Sequence, residues 1–197
     1  MLYPRENKNG DLVADDQLVG IIEHLAREKR LLFLTGVIND DTMLHNALFA
    51  LDTLSYEPIT LVITSPGGNL DSAFLLYDTV KLLQSPLITF GRYCASAAVL
   101  LLAAGSKRYL SPHAKVMLHL PSGQAGGDSR DWEIQHREMQ KYKNKMVEIL
   151  IECGAKKPAQ DILQDVDRDF WLEPEEAIAY GLADEIITRD TMKRWLK

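Results

Sequence analysis

ITLVITSPGGNLDSAFLLYDTVKLLQSPLITFG, residues 59–91, decides the fold class. Its first six residues, ITLVIT, are β-branched or apolar, which suits a strand. The run stops at Pro66-Gly67-Gly68, where the backbone is free to turn sharply. NLDSAFLLYDTVKLLQ then carries apolar residues at helical spacing. PLITFG returns to a strand pattern. Strand, turn, helix and strand in this order form a crossover unit of an α/β domain.

The same alternation runs outward in both directions. DDQLVGIIEHLAREKR (15–30) is a helix with acids leading and bases trailing, which suits the helix dipole. RLLFLTG (30–36) is a short strand ended by glycine, and NDDTMLHNALFALDTL (39–54) a helix opened by cap-type residues. Downstream, KRYL (107–110) and KVMLHL (115–120) read as two strands. DSRDWEIQHREMQKYKNKMVEILIEC (128–153) is a long charged amphipathic helix. PEEAIAYGLADEII (174–187) is a short helix with Pro174 in its first turn, a glycine stop and a last strand. No repeat or linker interrupts the pattern, and QAGGDS (124–129) is the most loop-like internal segment. Residues 1–197 therefore read as one domain.

Composition narrows the function classes. With 197 residues the chain is long enough for a substantial core. Its 22 basic and 28 acidic residues leave a net charge of −6, which argues against nucleic acid as a main partner. No apolar window approaches membrane-span length, and MLYPRENKNGDLVADDQ has no apolar signal core. Cys94 and Cys153 lack metal-ligand spacing and form no disulfide framework, so the reading is a cytosolic protein with free thiols.

Chemistry concentrates in GRYCASAAVLLLAAG (91–105). Ser96 stands among small residues, before a buried-type helix from Ala97 to Ala104. A serine nucleophile needs a base. Of the five histidines, His24, His45 and His136 lie on helices with charged neighbours and read as surface residues. His113 follows Ser111-Pro112 and reads as loop. His119 ends the strand KVMLH, and strand ends are where α/β folds place functional groups. For the orienting acid, Asp169 beside Phe170 and Trp171 is the aspartate of DVDRDFW expected to be partly buried; pairing of that acid with Arg168 is the plainer alternative. Acyl transfer also needs two donors for the oxyanion. The N–H groups of Gly68 and Ala97 supply one each if the two turns face each other. Cys94 reads as a small core residue rather than a second nucleophile.

These pieces in this order resemble the Clp protease proteolytic subunit family. ITSPGG (63–68) matches its N-S-P-G-G strand end, and CASAAVLLLAAG (94–105) its serine segment. VMLHLP (116–121) matches V-M-I-H-Q-P, and RDFWLEPEEAIAYGLAD (168–184) the aspartate segment. DWEIQHRE (131–138) carries the family's D-x-E-I-x-x-x-E pattern. The resemblance implies a crotonase-like superhelix of ββα units with a protruding handle, residues about 120–153, and an N-terminal segment, residues 1–17. It implies a serine endopeptidase with Ser96 as nucleophile, His119 as base, Asp169 as orienting acid, and Gly68 and Ala97 as oxyanion donors. It implies two stacked seven-membered rings around a chamber, joined by the handles, with Arg168 coupling ring contact to site geometry. It implies that unfolded protein substrates are delivered by a AAA+ unfoldase such as ClpX or ClpA, and that the unfoldase uses the ATP while this chain needs no cofactor or metal. Apolar surroundings suggest a mild preference for hydrophobic side chains near the cut.

The chain departs from the family pattern in several places. Its glycine, Gly91, stands five residues before Ser96, and the methionine after the serine is Ala97. Thr60 and Val62 replace aromatic residues of the unfoldase docking pocket, and the N-terminus lacks the usual apolar start. The alternatives are a catalytically silent or regulatory ring subunit, an acyl-CoA enzyme of the crotonase type, and a membrane-linked serine–lysine protease.

Overall fold

In a computed structural model of the chain, residues 5–6, 12–13, 16–39, 42–123 and 126–195 are described. Most of the expected N-terminal segment, and Gln124 and Ala125 of the expected loop, lie outside them. β1 (Arg5–Glu6) and β2 (Leu12–Val13) pair antiparallel. There follow α1 (Asp16–Lys29), β3 (Leu31–Thr35), α2 (Thr42–Leu54), β4 (Ile59–Ser65), α3 (Leu70–Leu82) and β5 (Leu87–Ala95). The chain continues through α4 (Ala97–Ala103), β6 (Lys107–Leu118), α5 (Ser129–Glu152), α6 (Ala159–Asp165), β7 (Phe170–Leu172), α7 (Pro174–Tyr180), β8 (Glu185–Ile186) and α8 (Arg189–Trp195).

The architecture is α/β. A six-stranded sheet runs β3-β4-β5-β6-β7, with β8 also on β6. The β3, β4, β5 and β6 neighbours are parallel, because helices return the chain across the sheet between them. β7 is antiparallel to β6. β4 is buried at five of its seven residues and reads as a central strand. α4 is apolar all round, and all seven of its residues are buried. It packs under β5 and against α3, so the core lies directly beneath the turn that carries Ser96.

Three expectations are corrected here. KRYL and KVMLHL belong to one strand, β6, with a register shift against β5 between Gly91 and Tyr93. His113 therefore lies within β6 and not in a loop. His45 is not a surface residue: it is buried, and its Nδ1 lies 2.8 Å from Thr79 Oγ1. Thr79 Oγ1 already donates to Leu75 O, so the imidazole Nδ1–H is the donor to it. α6, β7 and α8 carried no clear sequence signal.

Candidate active site

The position of Ser96 is set by backbone geometry. β5 ends at Ala95 and α4 starts at Ala97, so Ser96 alone makes the strand-to-helix turn. Its φ is 56° and ψ −129°, a sparsely populated region for a residue with a Cβ. Such backbone costs about 1–3 kcal/mol and persists where the surroundings over-determine it. The surroundings here are a 2.7 Å hydrogen bond from Ser96 N–H to Met117 O and the buried helix that follows. Met117 is two residues before His119. The ladder between β5 and β6 thus sets the distance between the two side chains, and Ser96 Oγ lies 2.7 Å from His119 Nε2.

The glycine turn closes the third side. The N–H of Gly67 donates to Ser65 Oγ at 3.1 Å, and that of Asn69 to Ile38 O at 2.7 Å. Gly67 has φ +90°, and a Cβ on it would lie 2.6 Å from Ala95 O and 2.9 Å from Ala97 N. Gly68 has φ +152°, and a Cβ there would collide with the carbonyl of Ile38. Only glycine fits at both. The two turns therefore face each other, and among the described residues neither Gly68 N–H nor Ala97 N–H has a backbone acceptor. Two free donors beside a hydroxyl–imidazole pair are the chemistry of acyl transfer.

Asp169 stands apart from this assembly. Its nearest carboxylate oxygen is 4.0 Å from His119 Nδ1, beyond hydrogen-bond reach. Its side chain is 63% exposed, against 26% for His119, which corrects the expectation of partial burial. Phe170 turns instead toward Tyr180, with ring centroids 5.8 Å apart, so burial stops one residue short of Asp169. Arg168 does not pair with Asp169; it donates to Asp167 O at 3.2 Å.

A pocket of about 210 Å³ opens beside Ser96 and His119, lined by Leu70, Asp71, Met139 and Tyr142. Tyr142 Oη donates to Asp71 Oδ1 at 2.7 Å. That bond, and then partial burial, holds the phenol above its ordinary pKa. These four residues were missed by sequence reasoning. Asp71 and Tyr142 lie 71 positions apart, and no local signal joins them. Cys94 is buried, and burial pushes its thiol well above the ordinary value, so it is no nucleophile. Among the described residues no cluster of His, Cys, Asp and Glu could hold a metal ion. No described helix is long and apolar enough to cross a membrane.

The family model for Clp protease matches residues 14–190. The chain belongs to the Clp protease family. It is 37% identical over 170 residues to the ATP-dependent Clp protease proteolytic subunit 1 of Rhodopirellula baltica, covering 83% of this chain and 74% of that one. To the subunit 1 of Protochlamydia amoebophila it is 33% identical over 192 residues, 93% of this chain and 92% of the relative. To the chloroplastic subunit 4 of Arabidopsis thaliana it is 35% identical over 185 residues, 91% of this chain and 62% of that one. The central sheet with its flanking helices agrees with the crotonase-like fold of Clp proteases.

Proposed function

We propose that the chain is a serine endopeptidase subunit that cuts unfolded polypeptides inside a closed assembly. The 2.7 Å contact between Ser96 Oγ and His119 Nε2, beside the facing turns of Gly68 and Ala97, carries this reading. Ser96 Oγ attacks the scissile carbonyl while His119 Nε2 takes its proton. The carbonyl oxygen, now negative, is held by the N–H groups of Gly68 and Ala97. The C–N bond breaks, His119 gives its proton to the leaving amine, and an acyl-enzyme remains. Water, deprotonated by His119, attacks the ester, and the proton returns to Ser96 as the acid leaves.

The 4.0 Å gap at Asp169 supports a role for assembly. In this reading, contact between two stacked heptameric rings of this chain, through the α5 handles and Arg168, draws Asp169 onto His119. A mostly apolar pocket of about 300 Å³, lined by Lys29, Phe33, Thr60, Val62, Phe90 and Arg92 among others, supports docking of a AAA+ unfoldase such as ClpX or ClpA. The relatives' names carry ATP dependence; the ATP belongs to that partner, and this chain works without cofactor. The cytoplasm is the proposed location. The same gap also favours a second reading, a ring subunit that regulates without cutting.

Labelling with a fluorophosphonate, read by intact mass on wild type and on Ser96→Ala, tests the proposal. One adduct that vanishes in the variant supports an activated serine. No adduct on the folded, ring-assembled chain, with and without an unfoldase, overturns it in favour of the silent subunit.

A further inference from the structure

We infer that the pocket beside Ser96 selects, at the residue whose carbonyl is attacked, a long side chain with an apolar stem and a cationic tip, and that Asp71 meets that tip. This rests on the proposed peptidase reading and replaces the simple hydrophobic preference expected from sequence.

The pocket is small. Its volume of about 210 Å³ lies below the roughly 300 Å³ at which pockets begin to enclose whole drug-sized ligands, so it suits one side chain. Leu70 and Met139 give it apolar walls. Asp71 and Tyr142, with Asn69 and Ser122, make the rest of the lining polar. Tyr142 donates to Asp71 Oδ1, and among the described residues no donor reaches the second carboxylate oxygen. The Tyr142 ring rests 6.0 Å from Phe74, centroid to centroid, which holds the phenol in place.

Among the described residues no lysine, arginine or histidine pairs with Asp71. Lys141, next to Tyr142 in the chain, is committed to Glu138 at 2.8 Å. Asp71 is exposed, so until a side chain enters the pocket water solvates its carboxylate. A leucine side chain entering the pocket strips water from it and returns nothing. A lysine side chain packs its methylenes on Leu70 and Met139 and delivers the ammonium to the open oxygen. Selection works in both directions, through attraction and through the penalty on the wrong occupant.

Asp71 also sits in the first turn of α3, where a helix N-terminus favours a carboxylate. That stabilisation is independent of the substrate side chain, so a side-chain comparison separates the two roles. Two peptidyl diaryl phosphonates, identical except for a lysine-type or a leucine-type side chain at the reacting residue, are reacted with the assembled wild type, Asp71→Asn and Tyr142→Phe. Adduct formation on Ser96 is followed by intact mass, and the lysine-to-leucine rate ratio is read within each protein.

The ratio exceeds one in wild type and falls by about tenfold or more in Asp71→Asn, as expected for loss of a charge-assisted bond. It stays above one in Tyr142→Phe, which removes the phenol but keeps the carboxylate. A wild-type ratio at or below one, or a ratio unchanged by Asp71→Asn, overturns the inference. Labelling by the fluorophosphonate alone, with neither peptidyl probe reacting, overturns it and leaves the peptidase reading standing. Failure of all three probes removes both.

Discussion

Leu120 donates its N–H to the carbonyl of Val166 at 2.9 Å. This bond ties the residue after His119 to the segment that leads to Asp169. This bond and the pairing of Leu118 with Phe170 tie the His119 and Asp169 segments together, although the two side chains remain 4.0 Å apart.

Asp169→Asn tests what that gap means. The residue is exposed and makes no hydrogen bond that holds the fold, so the melting temperature stays within about 2 °C, a change expected of surface positions. In the assembled protein, peptide hydrolysis falls by about a hundredfold or more, because an amide cannot stabilise the imidazolium. Undiminished hydrolysis would remove Asp169 from the mechanism.

Asp165 anchors the same segment from its other side. Its Oδ2 accepts from Lys157 Nζ at 2.7 Å and from Tyr180 Oη at 3.0 Å. Asp165→Ala leaves the hydroxyl of the buried Tyr180 without its acceptor. The expected loss is about 1–3 kcal/mol in a urea titration. Asp165→Asn keeps an acceptor and recovers part of it.

Alanine at Gly68 is predicted to be worse than at any surface glycine. The new Cβ would meet the backbone of Ile38 at a φ that side chains rarely adopt. Either the turn moves and fluorophosphonate labelling of Ser96 collapses, or the protein loses more than about 2 kcal/mol. Gly20→Ala, where nothing lies within 4 Å, is the matched control.

Acid stability has a defined contributor in Asp52. Hydrogen bonds from Ser85, and then from Gln84, hold its carboxyl below the usual range against the opposing effect of burial. A carboxyl whose folded pKa is depressed stabilises the fold above its unfolded value, near pH 4, and that stabilisation is lost as pH falls through the folded value. Asp52→Ala should therefore flatten the pH dependence of the melting temperature below about pH 4 and lower it above.

The thiols are expected to separate by accessibility. Native protein treated with iodoacetamide should carry no adduct on Cys94, which is 0% exposed, whereas urea-unfolded protein carries adducts on both cysteines. Native alkylation of Cys94 would contradict the packing of α4.

Much of the architecture was legible because it rests on local period and punctuation. The β4–α3–β5 crossover, the glycine turn and the buried helix after Ser96 each follow from a few adjacent residues. What was not legible depends on tertiary neighbours. His45 reads as a surface residue from its own helix, but α3 covers it and Thr79 satisfies it. β6 reads as two strands because Ser111-Pro112-His113 is polar and turn-like, although the β5 ladder resumes beyond it. Asp169 reads as buried because its neighbours are aromatic; Phe170 turns inward alone, and Trp171 is 48% exposed. The Asp71–Tyr142 pair was invisible because it forms across two helices.

The ladder between β5 and β6 has a last consequence. Ser96 and His119 are like two notches cut on a single ruler: bending the sheet carries both, and their spacing survives. Asp169 stands one residue before β7, whose Phe170 pairs with Leu118 of β6. Distortions of the sheet therefore carry Ser96, His119 and the backbone of Asp169 together, and the exposed Asp169 side chain is the part with room to travel.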